Sequence, residues 1–150
     1  MILYLGTDHA GFELKERVKP YLESLGHTVV DKGAYSYQAE DDYPDYIAPV
    51  ARIISENPND ARAIIFGRTG QAEAMLANRF PHVRAALYYG DTLDVVRLSR
   101  AHNDANVLSI GAQFVSFDAI QAVLQLWLTT PYESGRHDAR LQKIEDLTRT

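Results

Sequence analysis

Five apolar segments of strand length recur along this chain, each followed by a longer amphipathic stretch, and no other feature constrains the fold as much. The apolar segments are "ILYLG" (2–6), "HTVVD" (27–31), "AIIFG" (63–67), "VRAALYY" (83–89) and "NVLSIG" (106–111). The amphipathic ones run over roughly 10–25, 45–57, 70–79, 91–101 and 116–129, with a last one near 136–148. Short strands that are apolar almost throughout must be covered on both faces, and β-α alternation supplies that cover. The expected class is therefore α/β, a three-layer, doubly wound sheet of about five parallel strands with helices on both faces. At 150 residues, 46% hydrophobic and 23% charged, the chain reads as a single domain over 1–150. Pro20 falls inside the first helical pattern and is expected to kink or break it, whereas Pro49, near the start of the second, is tolerable in a first turn.

Composition excludes several classes of function. No apolar run approaches the ~20 residues of a membrane span, and the start "MILYLGTDHAG" lacks a basic leader, so a cytoplasmic protein without membrane contact is expected. The chain has no cysteine, which removes thiolate chemistry and leaves carboxylates, histidines and tyrosines for acid–base work. A formal charge of -5 with scattered basic residues argues against nucleic acid. The histidines at 9, 27, 82, 102 and 137 have no HxH or HxxxH spacing, so no metal is expected.

Ligands of such sheets bind beyond the carboxyl ends of the strands, and three polar segments are expected at that rim. They are "GTDHAGF" (6–12) with Asp8 and His9, "IIFGRTGQAEA" (64–74) with Glu73, and "RAHNDAN" (100–106) with His102, Asn103 and Asp104. Each has a plain reading and a functional one. "GTDHAG" with Asp8 reads as a strand end and an Asp or Thr helix cap, or as a segment in which His9 and the following backbone N–H groups face an anion. Glu73 reads as the acid of a capping box, or as a catalytic carboxylate. "GRTG" (67–70) is neither a Walker loop nor GxGxxG, so nucleotides are disfavoured, although a turn entering a helix aims N–H groups at an oxyanion or phosphate. His102 reads as a helix-end dipole partner or a catalytic group. In "GRHDAR" (135–140), Arg136 and Arg140 lie four apart beside His137, as solvated charges or as an anion clamp.

Taken together, "GTDHAGFELKE", "DKG" (31–33), "DYPDY" (42–46), "ANRF" (77–80), "HNDANVLSIG" (102–111) and "YESGRHDAR" (132–140) resemble the type B ribose-5-phosphate isomerases and the related galactose-6-phosphate isomerase subunits. The likeness runs in order from residue 2 to about 145. It implies a Rossmann-like, cofactor-free aldose–ketose isomerase of a phosphorylated sugar. It also implies a homodimer or tetramer with shared active sites, in which the C-terminal helix (about 136–148) contacts the partner subunit. By position, Asp8, His9 and Tyr43 match substrate-binding residues, His102 the ring-opening acid and Asn103 a neighbouring substrate ligand. Arg136 and Arg140, with His137 beside them, match the phosphate site. Family members carry either a cysteine base at the end of the third strand, here Gly67, or a glutamate several residues on, here Glu73. This chain resembles the glutamate type. Arg68 and Ala72 stand where the family usually has glycine, and Gln113 where an arginine is often found.

With that resemblance the chemistry of the turn can be stated. A free glutamate has a pKa near ~4.3, so a Glu73 that takes a proton from carbon must be partly desolvated. The N–H groups of Gly70, Gln71 and Ala72, with Thr69, would hold an enediolate oxygen, a contribution on the order of 3 kcal/mol per donor. Arg68 is expected to face substrate and partly replace the arginine absent at Gln113. The expected function is interconversion of ribose 5-phosphate and ribulose 5-phosphate. The alternatives are isomerisation of a hexose 6-phosphate of the allose or galactose type, and a catalytically silent sugar-phosphate-binding protein.

Overall fold

The structure, a computed structural model, describes residues 1–90 and 92–148. In chain order the elements are β1 (Ile2–Thr7), a 3-10 turn (His9–Gly11), α1 (Phe12–Ser24), β2 (Thr28–Asp31), α2 (Pro44–Glu56), β3 (Ala61–Gly67) and α3 (Gln71–Ala77). There follow β4 (Ala85–Tyr88), α4 (Leu93–Ala101), β5 (Val107–Gly111), a second 3-10 turn (Ala112–Phe114), α5 (Phe117–Thr129) and α6 (Arg136–Thr148). Asp91, at the start of the fourth helical segment read from the sequence, lies outside the described residues.

The strands form one parallel sheet in the order β2-β1-β3-β5-β4. From β1 the chain first winds outward to β2 and then returns to the other side as β3, which makes β1/β3 the switch point at which such sheets open a crevice. Alternate residues of β3 serve opposite faces. Ile64 and Phe66 pack with Leu14, Val18 and Leu22 of α1, Val96 of α4 and Ile120, Leu124 and Trp127 of α5. Ala63 and Ile65 pack with Ile47, Val50 and Ile54 of α2 and Ala77 of α3. Ile64, Ile65 and Phe66 have no exposed surface, and each such burial stabilises the fold by about 1.5–3 kcal/mol. The run had to be apolar at every position because both faces of the strand are dry.

The prolines behave differently from expectation. α1 continues through Pro20 to Ser24 without a break. Pro20 is on the exposed face, where water can satisfy the carbonyl that its missing N–H leaves free. Helix α2 starts at Pro44, so Pro49 lies in its second turn instead of the first. Interior proline costs ~3 kcal/mol. Ile47, Val50, Ala51 and Ile54, all buried against the sheet, outweigh that cost.

Candidate active site

At the carboxyl ends of β1 and β3 the chain assembles a cluster of acids around one histidine. Thr7 closes β1 by donating from its hydroxyl to the Phe66 carbonyl at 3.0 Å, which ties the two strand ends together. Asp8 is buried, with Oδ1 accepting the Ala10 N–H at 3.0 Å, and burial raises its pKa. His9 follows. Its ring Nδ1 lies 2.7 Å from Asp41 Oδ1, and its main-chain N–H donates to the same oxygen at 2.8 Å. The hydrogen bond to Asp41 is the main reason that the His9 pKa is raised.

Glu73 belongs to the same cluster. It is 4% exposed in the first turn of α3, and its carboxylate turns back over Gly67, where any β-carbon would collide with it. Desolvation raises its pKa above the ordinary value near 4.5, and the charge of Asp8 adds to the rise. The capping-box reading fails on the other partner: the N-cap is Gly70, which has no side chain to return the bond.

The turn between them is pinned at several atoms. Gly70 has φ 74°, a left-handed conformation that favours glycine, and its carbonyl accepts the Ser109 hydroxyl at 2.6 Å from β5. The Gln71 N–H donates to Thr69 Oγ1 at 3.4 Å. Arg68 is joined to Gln113 in both directions: its carbonyl accepts the Gln113 N–H at 3.1 Å, and its Nε donates to Gln113 Oε1 at 2.6 Å. Thr69 and Ala72 are half-buried and Gln71 is exposed, so the turn borders the crevice. Tyr43 precedes α2 and packs, half-buried, against that helix's apolar cluster.

The second group of expected site residues is not at this rim. β5 runs from Val107 to Gly111, with Gly111 in register with Gly67, so residues 102–106 precede the strand and sit at the amino end of the sheet. The expectation that "RAHNDAN" lies beside "GTDHAGF" is corrected, because the segment enters a strand instead of leaving one. Roughly 13 Å of strand separates the two rims at ~3.3 Å per residue. Asp104 takes Arg84 and Arg100, each at 2.8 Å, and Asn106 bonds the Arg84 N–H at 2.8 Å and the His82 carbonyl at 2.9 Å. These bonds hold the loop that carries His102.

His102 caps α4 and stacks on His137 of α6, with ring centroids 4.3 Å apart and planes 17° apart. Its Nε2 lies 3.5 Å from Glu133 Oε2. Burial first, then His102, Arg136 and Arg140, push the His137 pKa down. Asp138 is engaged by the Tyr132 hydroxyl at 2.7 Å and the Ser134 hydroxyl at 2.9 Å. Arg136 and Arg140 are exposed and have no carboxylate partner among the described residues. Asn103, also exposed, borders a groove of about 370 Å³ beside Leu141 and Ile144 of α6.

Among the described residues, two donor sets have ligand atoms within 4.8 Å of one another, Asp8 with His9 and Asp41, and His102 with Glu133 and His137. In the first, the His9 and Asp41 atoms already share a hydrogen bond. In the second, the imidazoles are nearly parallel, so their in-plane lone pairs do not converge on one point.

Sequence reasoning overlooked Asp41 and Tyr37, which brace His9. Their signal was weak: an acidic "EDD" (40–42) before the tyrosine, in a segment without periodicity. It also left Gln113 as a departure, where the structure makes it the partner of Arg68.

The comparisons agree with this architecture. The model of the Ribose/Galactose Isomerase family matches residues 3–144. The chain is 37% identical to ribose-5-phosphate isomerase B of Mycolicibacterium paratuberculosis, with 100% of this chain and 93% of that protein covered. It is 36% identical to the Escherichia coli enzyme of that name, over 93% of this chain and 91% of the other. Among solved structures, ribose-5-phosphate isomerase B from Mycoplasma genitalium with bound ribulose-5-phosphate superposes with a TM-score of 0.93 at 32% identity, covering 97% of this chain and 95% of that one. With the parallel sheet, the acid cluster at its switch point and likeness over essentially the whole length, this chain belongs to the ribose/galactose isomerase family.

Proposed function

We propose that this protein interconverts ribose 5-phosphate and ribulose 5-phosphate, with Glu73 as the base and an active site completed by a second copy of the chain. The observation that carries the reading is the buried Glu73 carboxylate at the switch point, raised in pKa by desolvation and set in the first turn of α3. Isomerisation moves one proton from C2 to C1 and another from the C2 hydroxyl to the C1 oxygen, and leaves the overall redox state unchanged. A carboxylate lifted toward neutrality can take the first proton from C2 and return it to C1. The N–H groups of Gly70, Gln71 and Ala72, with Thr69, stabilise the oxygen that becomes negative in the cis-enediolate. Asp8, His9, Tyr43 and Arg68 contact the sugar from this chain.

Ring opening and part of the phosphate anchor fall to the opposite rim. His102 exchanges the ring-oxygen proton, Asn103 holds a hydroxyl, and Arg136 and Arg140, with His137, bind phosphate, whose binding energy is available far from the reacting carbons. Because the rims lie at opposite ends of the sheet, a single small sugar reaches both sets only where a second copy brings its amino rim to the first copy's carboxyl rim. In that arrangement α6 contacts the partner.

Turnover on a panel of aldose phosphates tests the reading. Ribose 5-phosphate is expected to have the highest kcat/KM. A preference for allose 6-phosphate or galactose 6-phosphate would move the substrate to the hexoses, and saturable binding without turnover would make the chain a sugar-phosphate-binding protein.

A further inference from the structure

One carboxylate holds His9 at two atoms. Asp41, from the segment between β2 and α2, accepts the His9 main-chain N–H at 2.8 Å and meets ring Nδ1 at 2.7 Å with the same oxygen. Its side chain is only 7% exposed, so water competes poorly for that bond. Tyr37 closes on the ring edge-on, with centroids 6.2 Å apart and planes at 89°. A neutral His9 paired in this way carries its proton on Nδ1, and Nε2 is the nitrogen left for a ligand.

Arg68 is the second element. Its Nε is used by Gln113, while neither terminal nitrogen bonds any other described residue. Arg84, Arg97 and Arg100 all pair with carboxylates, and Arg68 pairs with none among the described residues. With His9, Ala10, Tyr37 and Gln113, it lines a cavity of about 380 Å³ beside the acid cluster. A guanidinium oriented through Nε and open at its outer edge is arranged to grip an oxyanion.

We propose that Asp41 is a positioning residue that presents His9 beside Arg68 as a two-cation seat for the phosphoryl end of the substrate. The identity of that phosphoester rests on the isomerase reading. A phosphate monoester carries close to two negative charges near neutral pH and three terminal oxygens. The His9 Nε2–H and the Arg68 fork take it from this chain's side, which leaves other oxygens for Arg136 and Arg140 of a second copy. Gln113 keeps the guanidinium over the cavity.

The charge of His9 follows from its surroundings. Asp41 faces it from the loop before α2, and Asp8 Oδ2 lies 3.9 Å from Nδ1 on its own segment. Arg68 borders the same cavity from the turn after β3, and Glu73 of α3 is close enough to Asp8 to feel its charge. The Asp41 hydrogen bond raises the His9 pKa most, against the opposing effect of burial. Anion affinity due to His9 is full below that pKa and is lost as pH rises through it. Without the Asp41 carboxylate, the loss begins at lower pH.

The test is calorimetric binding of inorganic phosphate to wild type, Asp41→Asn and Arg68→Gln between pH 6 and 8.5, with KM and kcat for ribose 5-phosphate measured beside it. Asp41→Asn is expected to weaken phosphate binding about tenfold at pH 7.5 and less at pH 6, with KM rising and kcat changing much less. Arg68→Gln is expected to weaken it about tenfold across the range without moving its pH dependence. If Asp41 acted through its charge alone, Asp41→Asn would bind phosphate more tightly, and that result overturns the proposal. Unchanged affinity in both variants overturns it too. Nitrogen-15 shifts of wild-type His9 provide a check independent of variant folding: a neutral ring protonated on Nε2 would contradict the Asp41 role. Phosphate binding does not require turnover, so an inactive protein showing these shifts would refute the isomerase reading and leave the seat standing.

Discussion

The carboxylate of Glu73 lies directly over Gly67, in the volume that a β-carbon at residue 67 would occupy. α3 therefore delivers an acid to the point where the strand end itself carries no side chain. The bare strand end and the buried acid are two halves of one device. Gly67→Ala is expected to displace the carboxylate, lowering kcat at least about a hundredfold and destabilising the fold by about 1–3 kcal/mol through overpacking. In a Glu73→Ala background the same change meets no carboxylate and should cost markedly less stability. A double-mutant cycle in denaturant checks this, and additive losses would mean that the two residues do not compete for space.

Glu73→Gln preserves size while removing the proposed base, so kcat should fall roughly 10²–10⁴-fold with the fold intact. Stability should move the other way. The folded-state pKa of Glu73 is raised, so the native state binds its proton more tightly than the unfolded chain does. Its contribution is full below the ordinary value near 4.5 and is lost as pH rises through the folded pKa. Glu73→Gln should therefore exceed wild type in stability at pH 8, with the difference shrinking toward pH 4. Thermal unfolding across that range decides it; a variant less stable than wild type at pH 8 would show that the carboxylate is not strained by burial.

His102 is held by its stack on His137 and by the loop that Asp104 and Asn106 anchor. His102→Ala should reduce turnover of ribose 5-phosphate far more than turnover of a tetrose 4-phosphate, which has no free hydroxyl with which to close a furanose. Equal losses on the two substrates would remove ring opening from its role.

With the proposed site built from Glu73 of one copy and Arg136 of a second, mixing inactive Glu73→Gln chains with inactive Arg136→Ala chains should restore part of the wild-type activity. Subunit exchange is verified by mass-tagged chains. No recovered activity after exchange would place both residues in one chain's site.

Short-range signals made the architecture legible. The continuous apolar run at 63–67 required a strand covered on both faces, and the glycine turn at 67–70 entered a helix, as local periodicity and turn chemistry dictate. The family likeness singled out Glu73 as the expected base at a site where other members carry a cysteine. The opposite placement of His102 was also readable in principle, because in a parallel sheet a segment that precedes its strand must lie at the amino rim. The prolines misled because propensity is local, whereas the burial that keeps α2 continuous through Pro49 is tertiary.

What only the tertiary structure decided are pairings across long stretches of chain. Asp41 reaches His9 over 32 residues, and Arg68 reaches Gln113 over 45. No periodicity encodes these bonds, since each depends on where two loops end after the strands have taken their order. The desolvation of Glu73 has the same origin: a glutamate in a first helical turn is ordinary, and only the packing of that helix against the end of β3 removes its water and raises its pKa.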